Sequence, residues 1–140
     1  MKKRKTGFTL IELLVSISII AILTVAGLIS FSRASKVSRD AKRKADLETV
    51  RQAMVQFRAN REDPLIGTPG QYPTATGTSK EQFDTIVGEL QSKGYLSAGD
   101  IKDPRDPDVT YICDTCSSNT FTFKADLEHP SPTVLPVSNP

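Results

Sequence analysis

Residues 8–31 read FTLIELLVSISIIAILTVAGLISF, and this stretch decides the fold. Glu12 is its only charged side chain, and the other residues are aliphatic, aromatic, glycine or small hydroxyl residues. These 24 residues, at a helical rise of about 1.5 Å each, are long enough to cross a hydrocarbon core of about 30 Å. The stretch therefore predicts a membrane-spanning helix. Because a carboxylate is costly in hydrocarbon, Glu12 needs a partner, and that need points to assembly.

A short basic segment, residues 2–5, precedes the helix and is typical of the start of a targeting segment. The apolar run is longer than the roughly 7 to 15 residues of a secretory signal, and no small-residue cleavage site follows it. We therefore expect cleavage before the apolar run, which would be kept. Charge counting leaves the topology open, because six basic residues also follow the span between Arg33 and Lys44.

The sequence KTGFTLIE at residues 5–12 resembles the processing site of type IV pilins and of the related pseudopilins of type II secretion. The resemblance implies that a membrane aspartyl peptidase, the prepilin peptidase, cuts between Gly7 and Phe8. It also implies N-methylation of the new amino terminus on Phe8. Glu12 would then be the glutamate at the fifth position of the mature chain.

We expect the Phe8 amine to pair with the Glu12 carboxylate of a neighbouring subunit inside a bundle of apolar helices. Such a pair is expensive to desolvate, so we expect it to fix axial register more than to add stability. Packing of the aliphatic and aromatic side chains of adjacent copies would supply the cohesion. The alternative is that Glu12 only extends to the lipid interface.

The resemblance also implies partners and a location. The amino terminus would face the cytoplasm, and the chain would be stored as a single-pass protein of the bacterial inner membrane, in contact with lipid. An assembly ATPase and an inner-membrane platform protein would then extract it into a homo-oligomeric helical filament at the cell surface or in the periplasm. Removal of the leader changes the formal net charge from +2 to −2, so the mature chain is not globally basic.

The helix is expected to continue beyond the membrane, because Asp63-Pro64 is the first break after Phe8. One helix of about 50 residues, roughly 80 Å long, would result. Its larger apolar residues, from Leu47 to Phe57, fall on one face, and we expect a head domain to cover them. The alanine-rich section before Leu47 would remain an exposed neck. A coiled-coil dimer is the alternative, but this stripe is shorter than three or four heptads.

After this helix the composition changes to a loop rich in Pro, Gly and Thr. Ser79 with Gln82 then forms a capping-box pattern for a second helix, which Gly94 would end. Segments 109–113 and 120–125 are rich in β-branched and aromatic residues and predict two antiparallel strands. Their connection, residues 114–119, reads as a hairpin.

The predicted fold class is α+β: a long N-terminal, partly transmembrane helix packed against a small C-terminal antiparallel β-sheet head with one short extra helix, the pilin fold. The head has Tyr72-Pro73 after the long helix, Gly94-Tyr95-Leu96 after the short one and Asp103-Pro104 before Tyr111, and in these features it resembles the compact major pseudopilins. The predicted segments are a cleaved basic leader (1–7), a hydrophobic transmembrane or filament-core helix (8–31), its amphipathic continuation (32–61), a globular head (62–127) and a proline-rich, exposed tail (128–140).

Four aspartates fall between Asp100 and Asp108 in a turn-rich stretch. Calcium takes oxygen ligands from flexible loops, and the resemblance to major pseudopilins implies calcium in the corresponding loop. The candidate ligands are Asp103, Asp106 and Asp108. The alternative is that Asp-Pro pairs simply form turns, since the spacing matches no EF-hand. No cofactor is otherwise required.

Cys113 and Cys116 form the one Cys-x-x-Cys pattern. A zinc site would lack a fourth ligand of the usual kind, and a thioredoxin-like site would need a helix where the sequence predicts a strand end. We expect an extracytoplasmic disulfide that closes the hairpin, with free thiols as the alternative.

Two functions remain open at this stage. The first is a structural subunit of a type IV pilus or of a type II secretion pseudopilus, used in protein transport in the second case. The alternative is a monomeric membrane-anchored binding module, or a minor pilin, that recognises a surface or DNA. The basic residues from Arg33 to Lys44 suggest DNA, but nearby acids make a solvated helix face the better explanation. No phosphate-binding, dinucleotide-binding or hydrolase motif occurs, so we do not expect an enzyme.

Overall fold

Helix α1 runs from Leu10 to Ala59 in the computed structural model, which describes residues 7–60, 70–99, 101–130 and 133–140. The chain divides into two structural units, the first ending at Lys36 and the second beginning at Val37. The expected 50-residue helix is therefore confirmed. The predicted break at Asp63-Pro64 lies outside the described residues.

In the first unit the apolar part of α1 is exposed on all sides. Its large apolar side chains from Leu10 to Phe31 are 49–84% exposed. By length and composition alone the helix could cross a membrane, and none of its apolar window is buried. No side chain among the described residues covers this segment.

In the second unit α1 buries one face. The buried residues are Asp40, Arg43, Leu47, Val50, Ala53, Met54 and Phe57. The expectation that coverage begins at Leu47 was wrong by seven residues, because Arg43 is buried in an ion pair with Asp103 and Asp40 is buried where it accepts the backbone N–H groups of Glu128 and His129. Ala41 and Ala45 are exposed, as expected for the neck.

Helix α2 spans Ser79–Ser92 and buries Phe83, Ile86, Val87 and Leu90 against the core, as its periodicity predicts. The predicted capping box was shifted by one residue: Thr78 is the N-cap, and its hydroxyl accepts the N–H of Glu81, whose carboxylate accepts the N–H of Thr78. Glu81 closes the capping box instead of Gln82, because a charged carboxylate is a stronger hydrogen-bond acceptor than an amide oxygen. Gly94 follows the helix with φ +79°, the left-handed conformation expected of it.

Strands β1 (Ile112–Cys116) and β2 (Phe121–Leu127) form an antiparallel hairpin with a register irregularity between Cys113 and Thr115. β1 starts three residues later than predicted, because residues 105–109 close a turn. It also ends later, because the N–H of Ser117 donates to the carbonyl of Thr120 and closes a tighter connection than the one predicted.

The C-terminal segment is not a free tail, although four of the six residues of its strand are exposed, as expected. Residues Thr133–Ser138 form β3, which pairs antiparallel with β2 along six residue pairs. Leu135 and Val137 pack against the core, and the burial of their apolar surface stabilises the pairing of β3 with β2. Pro136 has no N–H to donate, but β3 is an edge strand, where proline is tolerated.

The core of the second unit lies where α1, α2 and the inner face of the three-stranded sheet meet. Phe83 packs edge-on against Phe123 with ring centroids 5.2 Å apart, and Tyr72 packs edge-on against Phe121 at 4.8 Å. Aromatic pairs of this geometry contribute about 0.5–1.5 kcal/mol beyond their area. The α+β prediction is confirmed, and the core fixes how the polar groups described next are placed.

Candidate processing junction and buried arginine cluster

Gly7 and Phe8 lie before the first turn of α1 and are exposed, Phe8 to 90%. A Cβ atom added to Gly7 would meet no atom within 4 Å, and Gly7 is not among the glycines with a positive φ. The fold therefore does not require glycine here. If this position needs glycine, the requirement comes from a molecule that acts on the junction.

Glu12 has a hydrogen-bond partner within its own chain. Its Oε2 accepts from the N–H of Thr9 at 2.8 Å and from the Thr9 hydroxyl at 2.7 Å, while the Glu12 N–H donates to that hydroxyl at 3.3 Å. This reciprocal arrangement is a capping box at the start of α1. The spacing Thr9-x-x-Glu12 in the sequence is the one that a capping box requires. The Glu12 carboxylate is thus oriented by Thr9 before any neighbour is present.

Arg43 is the centre of a second polar group, the arginine cluster, formed by Arg43, Asp40, Asp103, Glu128 and Arg39. The Arg43 side chain is completely buried. Its Nε and Nη2 donate to the two carboxylate oxygens of Asp103 at 2.6 and 2.9 Å. Its Nη1 donates to Asp40 at 2.7 Å and to Glu128 at 2.9 Å. A guanidinium fork on a carboxylate is among the strongest side-chain hydrogen-bonding arrangements.

The cluster connects α1 to the segment that follows β2. Arg39 donates from Nε and Nη2 to the two oxygens of Glu128 at 2.8 and 2.6 Å. The Asp40 carboxylate accepts the backbone N–H groups of Glu128 and His129 at 2.8–3.1 Å. Every buried charge in the cluster therefore has an opposite charge or a backbone donor within hydrogen-bonding distance, as burial requires.

These contacts shift the ionisation of the cluster. Hydrogen bonds from Arg39, assisted by those from Arg43, lower the pKa of Glu128 to about 2 against the opposing effect of burial. Burial alone would raise the pKa of Asp40, but the N–H of Glu128 and the Arg43 guanidinium outweigh it and keep this pKa below its ordinary value. The Asp103 carboxylate raises the pKa of Arg43. All three groups are held in their charged forms.

Tyr111 and Asp46 form a neighbouring buried contact, with the tyrosine hydroxyl donating to Asp46 at 2.8 Å. Burial, together with the hydrogen bond to Asp46, raises the pKa of Tyr111. Burial also raises the pKa of Asp46, although the hydrogen bond from Tyr111 opposes this effect. The contact attaches the residue before β1 to α1.

The three candidate calcium ligands are not brought together as a ligand set. Both Asp103 oxygens are bound by Arg43, Asp106 accepts from Lys80 at 3.3 Å, and Asp108 is exposed. Within the described ranges, no group of three or more Asp, Glu, His or Cys side chains could hold a metal ion. The sequence could not indicate that Arg43 supplies the positive charge at Asp103. Calcium stays a prediction, and Asp103 is a poor candidate for its ligand.

The structure links the sulfurs of Cys113 and Cys116 in a disulfide, with the two Cα atoms 6.1 Å apart. Both residues lie in β1, on either side of its register irregularity: Cys113, expected at the end of the strand, lies within it, and Cys116 is its last residue. Cys113 is buried in the core. The bridge therefore spans the irregular part of the strand rather than the hairpin connection.

Residues 2–28 match a family model described as the prokaryotic N-terminal methylation motif. No curated protein and no solved structure matches the chain. The matched residues contain the junction at Gly7 and Phe8, Glu12, and most of the apolar segment of α1.

Proposed function

We propose that this chain, which carries the prokaryotic N-terminal methylation motif of the type IV pilin and pseudopilin family, is a structural subunit of a type IV pilus or of a type II secretion pseudopilus. The observation that carries the proposal is the junction itself: an exposed Gly7-Phe8 peptide, a carboxylate at Glu12, and an apolar helix segment exposed on all sides. The motif points to a structural role rather than an enzymatic one.

The apolar face of α1 supports polymerisation. Large apolar side chains from Leu10 to Phe31 are at least 49% exposed, and a surface of this kind needs lipid or other apolar helices around it. Lipid would cover it while the chain is stored in the inner membrane. Copies of the same helix would cover it in the filament, after extraction by an assembly ATPase and a platform protein.

The Glu12 carboxylate is oriented to accept a hydrogen bond when neighbouring subunits replace lipid around α1. Both Thr9 groups donate to Oε2, and among the described residues Oε1 receives no hydrogen bond. The Phe8 amine of a neighbouring copy, released by prepilin peptidase and methylated, would donate to this remaining oxygen. The pair would set the axial register of the subunits, and apolar packing would supply most of the free energy of association.

One observation favours the alternative of a monomeric anchored module. Because Thr9 already satisfies part of the Glu12 carboxylate, this charge does not by itself force assembly. In a monomeric anchor Glu12 would serve only to cap α1. Glutamine at this position retains an acceptor oxygen for Thr9. In a monomeric anchor, Glu12→Gln should therefore leave the contacts of the chain with other proteins unchanged.

Processing is tested by Gly7→Val, with Gly27→Val as the matched control. Neither glycine has an atom within 4 Å of an added Cβ, so both substitutions are sterically possible in the fold. Intact mass should show the leader retained only in Gly7→Val and a methylated Phe8 terminus in the wild type and the control. Equal cleavage of the Gly7 variant would refute the assigned junction.

Assembly is tested by Glu12→Gln and Glu12→Ala, with Ser16→Ala as the control one turn further along the same helix. We expect all three to be cleaved, and both Glu12 variants to give little sheared filament material by electron microscopy. Normal filaments from Glu12→Gln would defeat the charge-pair argument. A wild-type chain that is processed but never polymerises would favour the anchored module.

A further inference from the structure

The outer face of the β-sheet carries a groove of about 600 Å³, here called the sheet groove. Ile112, Lys124 and Pro136 are directly paired across the three strands and form its floor. They alternate along their strands with the buried residues of the inner face, such as Cys113 and Phe123, so they point away from α1. Val134, 49% exposed, adds to the apolar surface.

The sheet groove is acidic. Lys124, the basic residue in its lining, is neutralised by Asp114 at 2.8 Å. Asp108 and Asp126 also line the groove, are exposed, and make no ion pair with any described residue. A floor that is apolar at Ile112 and Pro136, with two uncompensated carboxylates beside it, fits a partner that is both apolar and basic.

The same chain presents such a surface on α1. Val37, Ala41, Lys44 and Ala45, here called the helix strip, are exposed along the part of α1 that enters the second unit. Lys44 makes no ion pair with a described residue, and the other three residues are apolar. Two of the four are alanines, which allow a helix to approach a flat surface closely.

The helix strip cannot reach the sheet groove of its own chain. α1 packs against the inner face of the sheet through Leu47, Val50 and Met54, whereas the groove is on the outer face. Complementary patches that cannot meet within one chain can meet between two copies. A contact between different patches is heterologous, and repeating it generates a ring or an open helical filament.

We propose that the helix strip of one subunit docks in the sheet groove of the next, with Lys44 facing Asp108 and Asp126. The proposal rests on the proposed filament function and assigns to it a second subunit contact, separate from the apolar segment and Glu12. The partner is a second copy of this chain.

A charge-swap experiment on the full-length chain tests the contact. Lys44→Glu and Asp126→Lys, each alone, should lower the yield of sheared filaments at low salt about threefold or more, while cleavage and methylation by intact mass stay normal. Combining both should restore the yield. Asp84→Lys, an equal change on the exposed side of α2, should have no effect. Single variants with wild-type yield, or a combination that fails to restore it, would overturn the proposed pairing and leave the filament function standing.

Cross-linking gives an independent readout. Filaments grown from a mixture of Val37→Cys and Val134→Cys subunits, carrying different tags and treated with a short bismaleimide, should yield mixed dimers. A mixture of Val37→Cys and Ser97→Cys should not. If the filaments give no product between positions 37 and 134, or if these positions cross-link only to another protein, then a second copy of the chain does not occupy the sheet groove. A wild-type chain that forms no filament at all would overturn the contact together with the function on which it rests.

Discussion

Replacing Arg43 by methionine is the most direct test of how the head is attached to α1. Methionine keeps much of the buried volume but leaves Asp103, whose side chain has no exposed surface, as an uncompensated buried charge. Breaking a buried ion pair from one side costs about 3–5 kcal/mol. For a unit of about 100 residues each kcal/mol shifts Tm by about 4–8 °C, so we expect a decrease on the order of 15 °C or more.

The assay is thermal unfolding of the full-length chain in detergent, followed by tyrosine fluorescence. The chain has three tyrosines and no tryptophan, and Tyr72, Tyr95 and Tyr111 all lie in the second unit, so the signal reports on the head alone. The control is Arg51→Met, which removes a partly exposed pair with Glu48 worth at most about 1 kcal/mol and should therefore lower Tm by no more than about 8 °C.

A double variant separates lost charge pairing from lost packing. Adding Asp103→Leu to Arg43→Met removes the stranded carboxylate, and we expect it to recover part of the lost stability. If Arg43→Met lowers Tm no more than Arg51→Met does, the buried cluster is not what attaches the head, and the reasoning from burial is refuted. If the double variant is less stable than Arg43→Met, the stranded charge is not the cause of the loss.

Three further outcomes are expected. The arginines hold the pKa of Glu128 at about 2, below its ordinary 4.5, so the Glu128 carboxylate stabilises the fold at neutral pH and this effect is lost as the pH falls from about 4.5 towards 2. Glu128→Gln should therefore flatten the decrease of Tm between pH 5 and pH 3. An unchanged slope would contradict the role given to Glu128. Arg43 binds both oxygens of Asp103, so a calcium site that needs Asp103 should not form and chelation should not lower Tm in the same fluorescence assay; a decrease would support calcium in this loop. Unreduced, unfolded protein should take up no alkylating reagent, and reduced protein should take up two equivalents, at Cys113 and Cys116; labelling without reduction would show free thiols.

The features predicted correctly from the sequence are those set by local periodicity. The absence of proline predicts the continuous helix α1, and the spacing of Phe83, Ile86 and Leu90 predicts the buried face of α2. Both are local properties, because residues three and four apart share a helix face whatever else the chain does. The same local rule applies at the start of α1, where the spacing Thr9-x-x-Glu12 indicates the capping box that the structure contains.

The arginine cluster could not be predicted, because its contacts between α1 and the rest of the second unit join residues 60 to 89 positions apart. Six basic residues lie between Arg33 and Lys44, and the sequence does not show that Arg39 and Arg43 bind acids of the head rather than solvent. β3 was missed for a related reason. Proline at position 136 argues against a strand, and only the position of β3 at the sheet edge, a long-range property, makes it acceptable.

The arginine cluster also explains why the head has one position on α1. An apolar stripe recurs every three or four residues, so moving α1 by one turn, about 5.4 Å, would leave leucine, valine and methionine still facing the sheet. The same displacement would carry Arg43 beyond hydrogen-bonding distance of both Asp103 oxygens, now at 2.6 and 2.9 Å, and would separate Asp40 from the backbone N–H groups of Glu128 and His129. Buried charges without partners cost several kcal/mol, whereas apolar side chains tolerate small changes of neighbour. Apolar packing therefore supplies the attraction between helix and head, and the polar contacts at Asp40 and Arg43 select the register.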